Sequence, residues 1–340
     1  MRIALLPLDE RPVNTRLAVD VGAIAGADVA LPPRELLPVM RRPGDADALA
    51  DWLSREVLSA ADASVVSLDL LCHGGLIGSR TSGHPVAAAT RRLDRLRELR
   101  ESAPASPIAA FSTVSRASDS YSGDEEPDYW PTYGRELHRY GAALHQSFLA
   151  EVETPAGEPT ATREAGPHSG VPADIVRDFM SRRLRNHAVN LIAVQHVADG
   201  VIDPLLIVAD DTARHSAGSA EQVWLRHWTR AIPTTGTILS YPGADEVGAV
   251  LTARAVAAHH RQTVTFAVVC HRAGLRRIAK FENLPVGINA ELQVRAAGGQ
   301  LATGDSRADV VLVIHPPDPD LGDWYGGTTR HDPDEVAGTV

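Results

Sequence analysis

Aromatic residues make up only 5% of this chain, cysteine occurs twice, and cations fall short of anions. Each shortage excludes something. Cys72 and Cys270 stand in separate apolar stretches with no second cysteine nearby, so neither a disulfide framework nor a zinc knuckle is expected, and buried, reduced thiols are the plain reading. With 33 Lys+Arg against 43 Asp+Glu the formal charge is −10, which opposes a phosphate backbone and argues against nucleic acid as a partner. No window approaches the ~20 apolar residues of a membrane span. The opening MRIALLPLDERPVN runs straight into a strand pattern, without the charged, apolar and small-residue regions of a signal peptide. The cytoplasm is therefore the expected compartment, with no membrane partner. No G-x-G-x-x-G follows the first strand candidate and there is no P-loop, so no nucleotide cofactor is expected. H-x-H, H-E-x-x-H and a cysteine cluster are missing as well. A divalent cation on Asp9, Asp69 and Asp211 stays open as an arrangement, but neither a cofactor nor a metal is assigned.

What the chain does have is a series of short apolar runs, each closing on a polar residue: Ile3 to Leu8, Ser64 to Leu68, Pro107 to Thr113, Leu205 to Ala209, Thr237 to Tyr241, Thr263 to Cys270 and Val310 to Ile314. Runs this apolar suit strands buried on both faces of a parallel sheet. Amphipathic patterns lie between them, such as Leu49, Trp52, Leu53 and Val57, then Val86, Ala89, Leu93, Leu96 and Leu99. Further helices are expected from Pro131 to about Ala150, Pro172 to Ala198, Ala220 to Arg230 and Asp245 to His260. Alternating strands and helices predict an α/β fold built of βαβ units. Its first form is a (β/α) TIM-like barrel over 1–315 with an irregular insertion at about 151–170 and an irregular tail over 316–340; an open, doubly wound parallel sheet is the alternative. Seven strands are one short of a closed eight-stranded barrel. The missing neighbour would leave Ile3, Leu5, Val311 and Val313 beside an open edge through which the chain could self-associate, and it would weaken the fold.

Residues suited to chemistry gather at the ends of these runs: Asp9, Glu10 and Arg11, then Asp69, Arg116, Asp210 with Asp211, Asp245 with Glu246, His271 and His315. Active sites of parallel α/β folds lie at that edge, where the βα loops converge. For any one position a polar strand end is the plainer reading; repetition over seven runs favours a site. Asp210 and Asp211 are the sharpest pair, since neighbouring carboxylates resist joint ionisation and one is held protonated, as a general acid requires. Helix capping is the competing explanation there. For Asp245 and Glu246, at the start of a helix, capping and a site role weigh equally. An internal salt bridge explains Asp9, Glu10 and Arg11 as well as ligand binding does. Gly74 and Gly75 offer bare backbone N–H groups, or simply a tight turn. Arg80 and Arg116 complete the candidate ligand contacts. Tyr129, Trp130, Tyr133 and Tyr140 cluster in EEPDYWPTYGRELHRY and could stack on a sugar, with ordinary packing the plainer account of each.

The segments LPLDERPVN, SLDLLCHGGLIGSR, EEPDYWPTYGRE, RRLRNHAVN, the Asp210–Asp211 pair and SYPGADEVG together resemble a bacterial family known as domain of unknown function 4127, from Met1 to about Pro317. Members of that family continue past the end of this chain, so it resembles a shortened member, and Thr212-Ala213-Arg214-His215-Ser216 stands where relatives carry Ala-Pro-Tyr-Gly-like residues. The resemblance brings no activity. An acidic pair after a fourth strand is similar to N-acetylhexosaminidases that use substrate assistance, which implies orientation by Asp210 and acid/base work by Asp211. The expected function is a glycoside-hydrolase-like enzyme acting on a small sugar or amino-sugar conjugate. A non-catalytic sugar or small-ligand binding protein and a metal-dependent hydrolase are the alternatives.

Overall fold

The computed structural model describes residues 1–153, 170–234, 236–270, 273–303 and 307–317. Six strands form one sheet: β1 (Arg2–Leu6), β2 (Asp28–Ala30), β3 (Ala63–Ser67), β4 (Ile108–Val114), β5 (Leu205–Ala209) and β6 (Ile238–Leu239). All pairings are parallel and the spatial order is β2-β1-β3-β4-β5-β6. A second parallel sheet, ordered β8-β7-β9, holds β7 (Thr265–Val269), β8 (Gln300–Leu301) and β9 (Val310–Val313).

Helices separate the strands: α1 (Arg16–Ile24), α2 (Ala46–Ser59), α3 (Leu68–His73), α4 (Leu76–Thr81), α5 (Val86–Ser102), α6 (Trp130–Glu153), α7 (Ala173–Ala198), α8 (Ala217–Ala231), α9 (Val247–His259) and α10 (Val286–Ala296). The two-residue period of a strand sends neighbours to opposite faces of the sheet. Ala4, Leu6, Val66, Leu205 and Ile207 join one core with the apolar stripes of α2, α5 and α7. Ile3, Leu5, Val65, Leu206 and Val208 join the other with α1 and α9. Both faces are thus covered, which is why these runs carry so few polar residues. No helix among the described residues is long and apolar enough to cross a membrane.

The six-stranded sheet is open, and the barrel expectation is corrected by one short element. β2, only three residues long, occupies the edge of β1 that a closing strand would need. The runs at 263–270 and 310–314 pair with each other instead. Ile3 and Leu5 are accordingly fully buried in an interior strand, whereas Val311 and Val313 lie exposed on β9, at a free edge among the described residues. Most of the expected insertion, 154–169, and of the tail, 318–340, falls outside the described residues, as does His271.

Connections from β1 through α1 to β2, and from β2 across to β3, run in opposite directions along the sheet, with α1 and α2 on opposite faces. The strand order therefore reverses between β1 and β3. Open α/β sheets hold their ligands outside the carboxyl ends of the strands near such a point.

Candidate active site

Five strand ends and one loop of the 273–303 segment enclose an open cleft of ≈350 Å³. Its lining includes Arg11 after β1, Arg80 in α4, Arg116 and Glu125 after β4, Asp210 and Asp211 after β5, Asp245 and Glu246 after β6, and Lys280 to Glu282.

Local structure explains how each arrives. Asp9 Oδ1 accepts from the Arg11 backbone N–H (3.0 Å) and from Asn14 (2.8 Å), and both its oxygens accept from the Arg11 side chain. Thus oriented, Arg11 reaches Asp245 at 2.6 and 3.1 Å, tying the loop after β1 to that after β6 across three intervening strands. β3 passes directly into α3: the Ser67 hydroxyl accepts from the Leu70 N–H, and Asp69 sits in the first turn. α3 ends at Gly74 in a left-handed conformation where an added Cβ would lie 2.6 Å from the Gly44 carbonyl oxygen, so only glycine fits. Gly75 starts α4, which delivers Arg80 with a side chain only 3% exposed.

Arg80 binds Asp210 Oδ2 and Glu125 (3.2 Å), with Glu126 at 3.6 Å. Arg116 binds Glu126 and Glu125, both at 2.9 Å, and Asp211 Oδ2 at 2.7 Å. Each aspartate of the pair is therefore held by its own arginine through Oδ2, and neither Oδ1 has a hydrogen bond among the described residues. Asp211 takes a left-handed backbone (φ 37), a conformation that costs about 1–3 kcal/mol for a non-glycine residue and concentrates at functional sites. From behind, Arg183 of α7 donates to the Ser115 carbonyl (2.9 Å) and the Arg116 carbonyl (3.2 Å), while Arg185 donates to those of Ser79 (2.6 Å) and Ser82 (2.7 Å). The basic helix motif thus braces the loops that carry Arg116 and follow Arg80.

Carboxyl groups outnumber cations here, and burial pushes several toward their neutral form. Asp211 is raised by burial and then by the neighbouring Asp210, Glu246 by burial and by Asp245, and Glu126 and Glu282 mainly by burial. Asp69 lies fully buried beneath the cleft, accepting from the Thr113 N–H at 2.8 Å, and burial raises it to about 6. Between the ordinary carboxylate range and that value the folded state binds more protons than the unfolded one, so stability falls as pH rises through the window. Asp69→Asn keeps an acceptor for Thr113 without the charge. It should gain stability relative to the parent between about pH 4 and pH 7, as read by urea unfolding; parallel pH profiles would show that Asp69 does not titrate there.

Of the residues singled out by sequence, Arg11, Arg80, Arg116, Asp210, Asp211, Asp245 and Glu246 line one cleft. Asp9 and Asp69 stand behind it through Arg11 and Thr113. Glu10 does not join them: its Oε1 accepts from the Met40 N–H (2.9 Å). Gly74 and Gly75 pack against Pro43, Gly44 and Pro38, and His315 lies beyond β9. Tyr129, Trp130, Tyr133 and Tyr140 pack with Val176 and Phe179 in a separate core and do not line the cleft, although Tyr129 and Trp130 reach the far side of Arg80 and Arg116. Sequence reasoning misses Glu125, Glu126 and the 280–282 loop; the acidic pair inside EEPDYW is the one signal that points to the first two. No group of three or more His, Cys, Asp or Glu side chains among the described residues is placed to hold a metal ion.

A family model described as "Protein of unknown function (DUF4127)" matches residues 3–337. No curated protein and no solved structure matches the chain.

Proposed function

The chain belongs to the DUF4127 family, and since that membership carries no activity, we propose from the geometry of the cleft that it is a glycoside-hydrolase-like enzyme. The observation that carries this reading is the Asp210–Asp211 pair. Each carboxyl is anchored to a separate arginine by Oδ2 and offers Oδ1 to a ligand. The environments then divide the roles. Asp211, pushed toward its neutral form, donates its proton to the glycosidic oxygen as the bond from that oxygen to the anomeric carbon breaks. Asp210 orients the group that attacks the anomeric carbon, an acetamido oxygen where the sugar carries one. Asp211, now ionised, takes a proton from the water that completes hydrolysis, which restores the starting state. Arg80 and Arg116 hold the pair without entering the bond changes.

The test is a panel of chromogenic glycosides, N-acetylhexosaminides among them, with release of the leaving phenol as the readout. Turnover of at least one class is expected. If none is turned over while a sugar still raises the melting temperature, the cleft binds sugars without chemistry; neither turnover nor stabilisation would remove carbohydrate from consideration.

A further inference from the structure

Phe281 stands apart from the rest of the cleft. It is the one aromatic side chain among the lining residues, 56% exposed in surroundings made mostly of carboxylates and cations. Its backbone is left-handed (φ 67), which a bulky residue adopts only where the surroundings impose it. Here they do: the Phe281 carbonyl accepts from both the N–H (2.6 Å) and the hydroxyl (3.1 Å) of Thr212, the residue after Asp211. The Lys280 ammonium lies over the ring at 5.0 Å from its centroid. Two turns with left-handed residues, one bearing Asp211 and the other Phe281, are therefore pinned to each other through a single carbonyl. Asn283, two residues on, donates to Gln222 of α8 at 2.6 Å and holds the far side of the same loop.

We propose that Phe281 is the residue that selects a pyranose ring at this site, stacking on its C–H-rich face beside the Asp210–Asp211 pair. A pyranose with equatorial hydroxyls turns its axial C–H bonds to one face, which suits an aromatic plane, while its rim of hydroxyls suits the charged groups around it. An acyclic polyol has the same hydroxyls and no such face. Thr212 fixes the Phe281 backbone relative to Asp211, so the place from which the ring projects also bears on how far the anomeric carbon lies from the carboxyl. This rests on the glycoside reading above and adds the shape of the substrate to it.

The experiment uses the whole chain labelled with fluorophenylalanine. Its five phenylalanines give five fluorine resonances, and the one lost in Phe281→Tyr is that of Phe281. Titration with methyl glucosides, set against sorbitol, should move that resonance for the ring sugar alone. Phe281→Ala should weaken ring-sugar binding about ten-fold, and Phe281→Tyr should retain it. Because Thr212 bonds to the backbone of residue 281, both variants keep the clamp. Ring sugars bound as tightly by Phe281→Ala as by the parent, or no preference over sorbitol, would overturn the stacking role and leave the glycoside reading standing. No sugar bound or turned over by the parent would overturn both.

Discussion

Asp211→Asn should abolish most turnover of whichever glycoside the parent accepts, by about 10²–10⁴-fold in kcat, the range that a positioned general acid contributes. Asparagine is the informative replacement because it is nearly isosteric with aspartate and adopts the left-handed backbone that Asp211 occupies more readily than most other residues do. A loss therefore reports the missing proton and not a collapsed turn. The pH profile adds a second readout. A general acid must be protonated, and burial and Asp210 raise the Asp211 carboxyl above its ordinary range, so parent activity should fall as pH rises through that raised value. In Asp211→Asn the residual rate should lack this limb. Turnover equal to the parent's would remove Asp211 from the mechanism.

The largest expected effect on stability belongs to Arg80→Met. The Arg80 side chain is 3% exposed and faces Asp210, Glu125 and Glu126, the last of these 4% exposed. Removing one partner of a buried ionic cluster strands the charges left behind and costs about 3–5 kcal/mol. Methionine fills much of the volume, so the loss is electrostatic more than steric. Its pH dependence separates the two. Burial already raises Glu126, with Arg80 and Arg116 opposing the rise; without Arg80 it rises further. The folded variant then holds a proton that the unfolded chain releases, and its deficit should shrink as pH falls toward 5. Urea unfolding at two pH values decides this, and a small deficit unchanged by pH would mean that Arg80 does not carry these charges.

Much of this site is legible in the amino-acid sequence, because strand ends announce themselves. An apolar run such as Leu205 to Ala209 followed by Asp210 and Asp211 reports both a buried strand and the edge where it stops. The same logic locates Arg11, Arg116, Asp245 and Glu246. It does not choose between barrel and open sheet, since both alternate strand and helix; the element that decides, β2, has three residues and too little pattern to register. Nor does it find Glu125, Glu126 or Phe281. These lie in segments without periodicity, and their meaning comes from partners such as Arg80 and Thr212 that are distant in sequence. The glycines mislead for the opposite reason: Gly74 is demanded by a close backbone approach, a local signal indistinguishable from a ligand cradle.

Most of the cleft stands on the six-stranded sheet, but the wall bearing Phe281 belongs to the segment between β7 and β8, whose sheet ends in an exposed strand, β9. Regions with little buried surface open on their own, well below the free energy of global unfolding. A transient opening of this kind would remove the wall formed by Lys280, Phe281 and Glu282 while the aspartates stayed in place. The working lifetime of the assembled cleft is therefore set by the least protected part of the molecule, and an occupant spanning from Asp211 to Phe281 would act as a brace, slowing amide exchange in β7 and β9, strands it never touches.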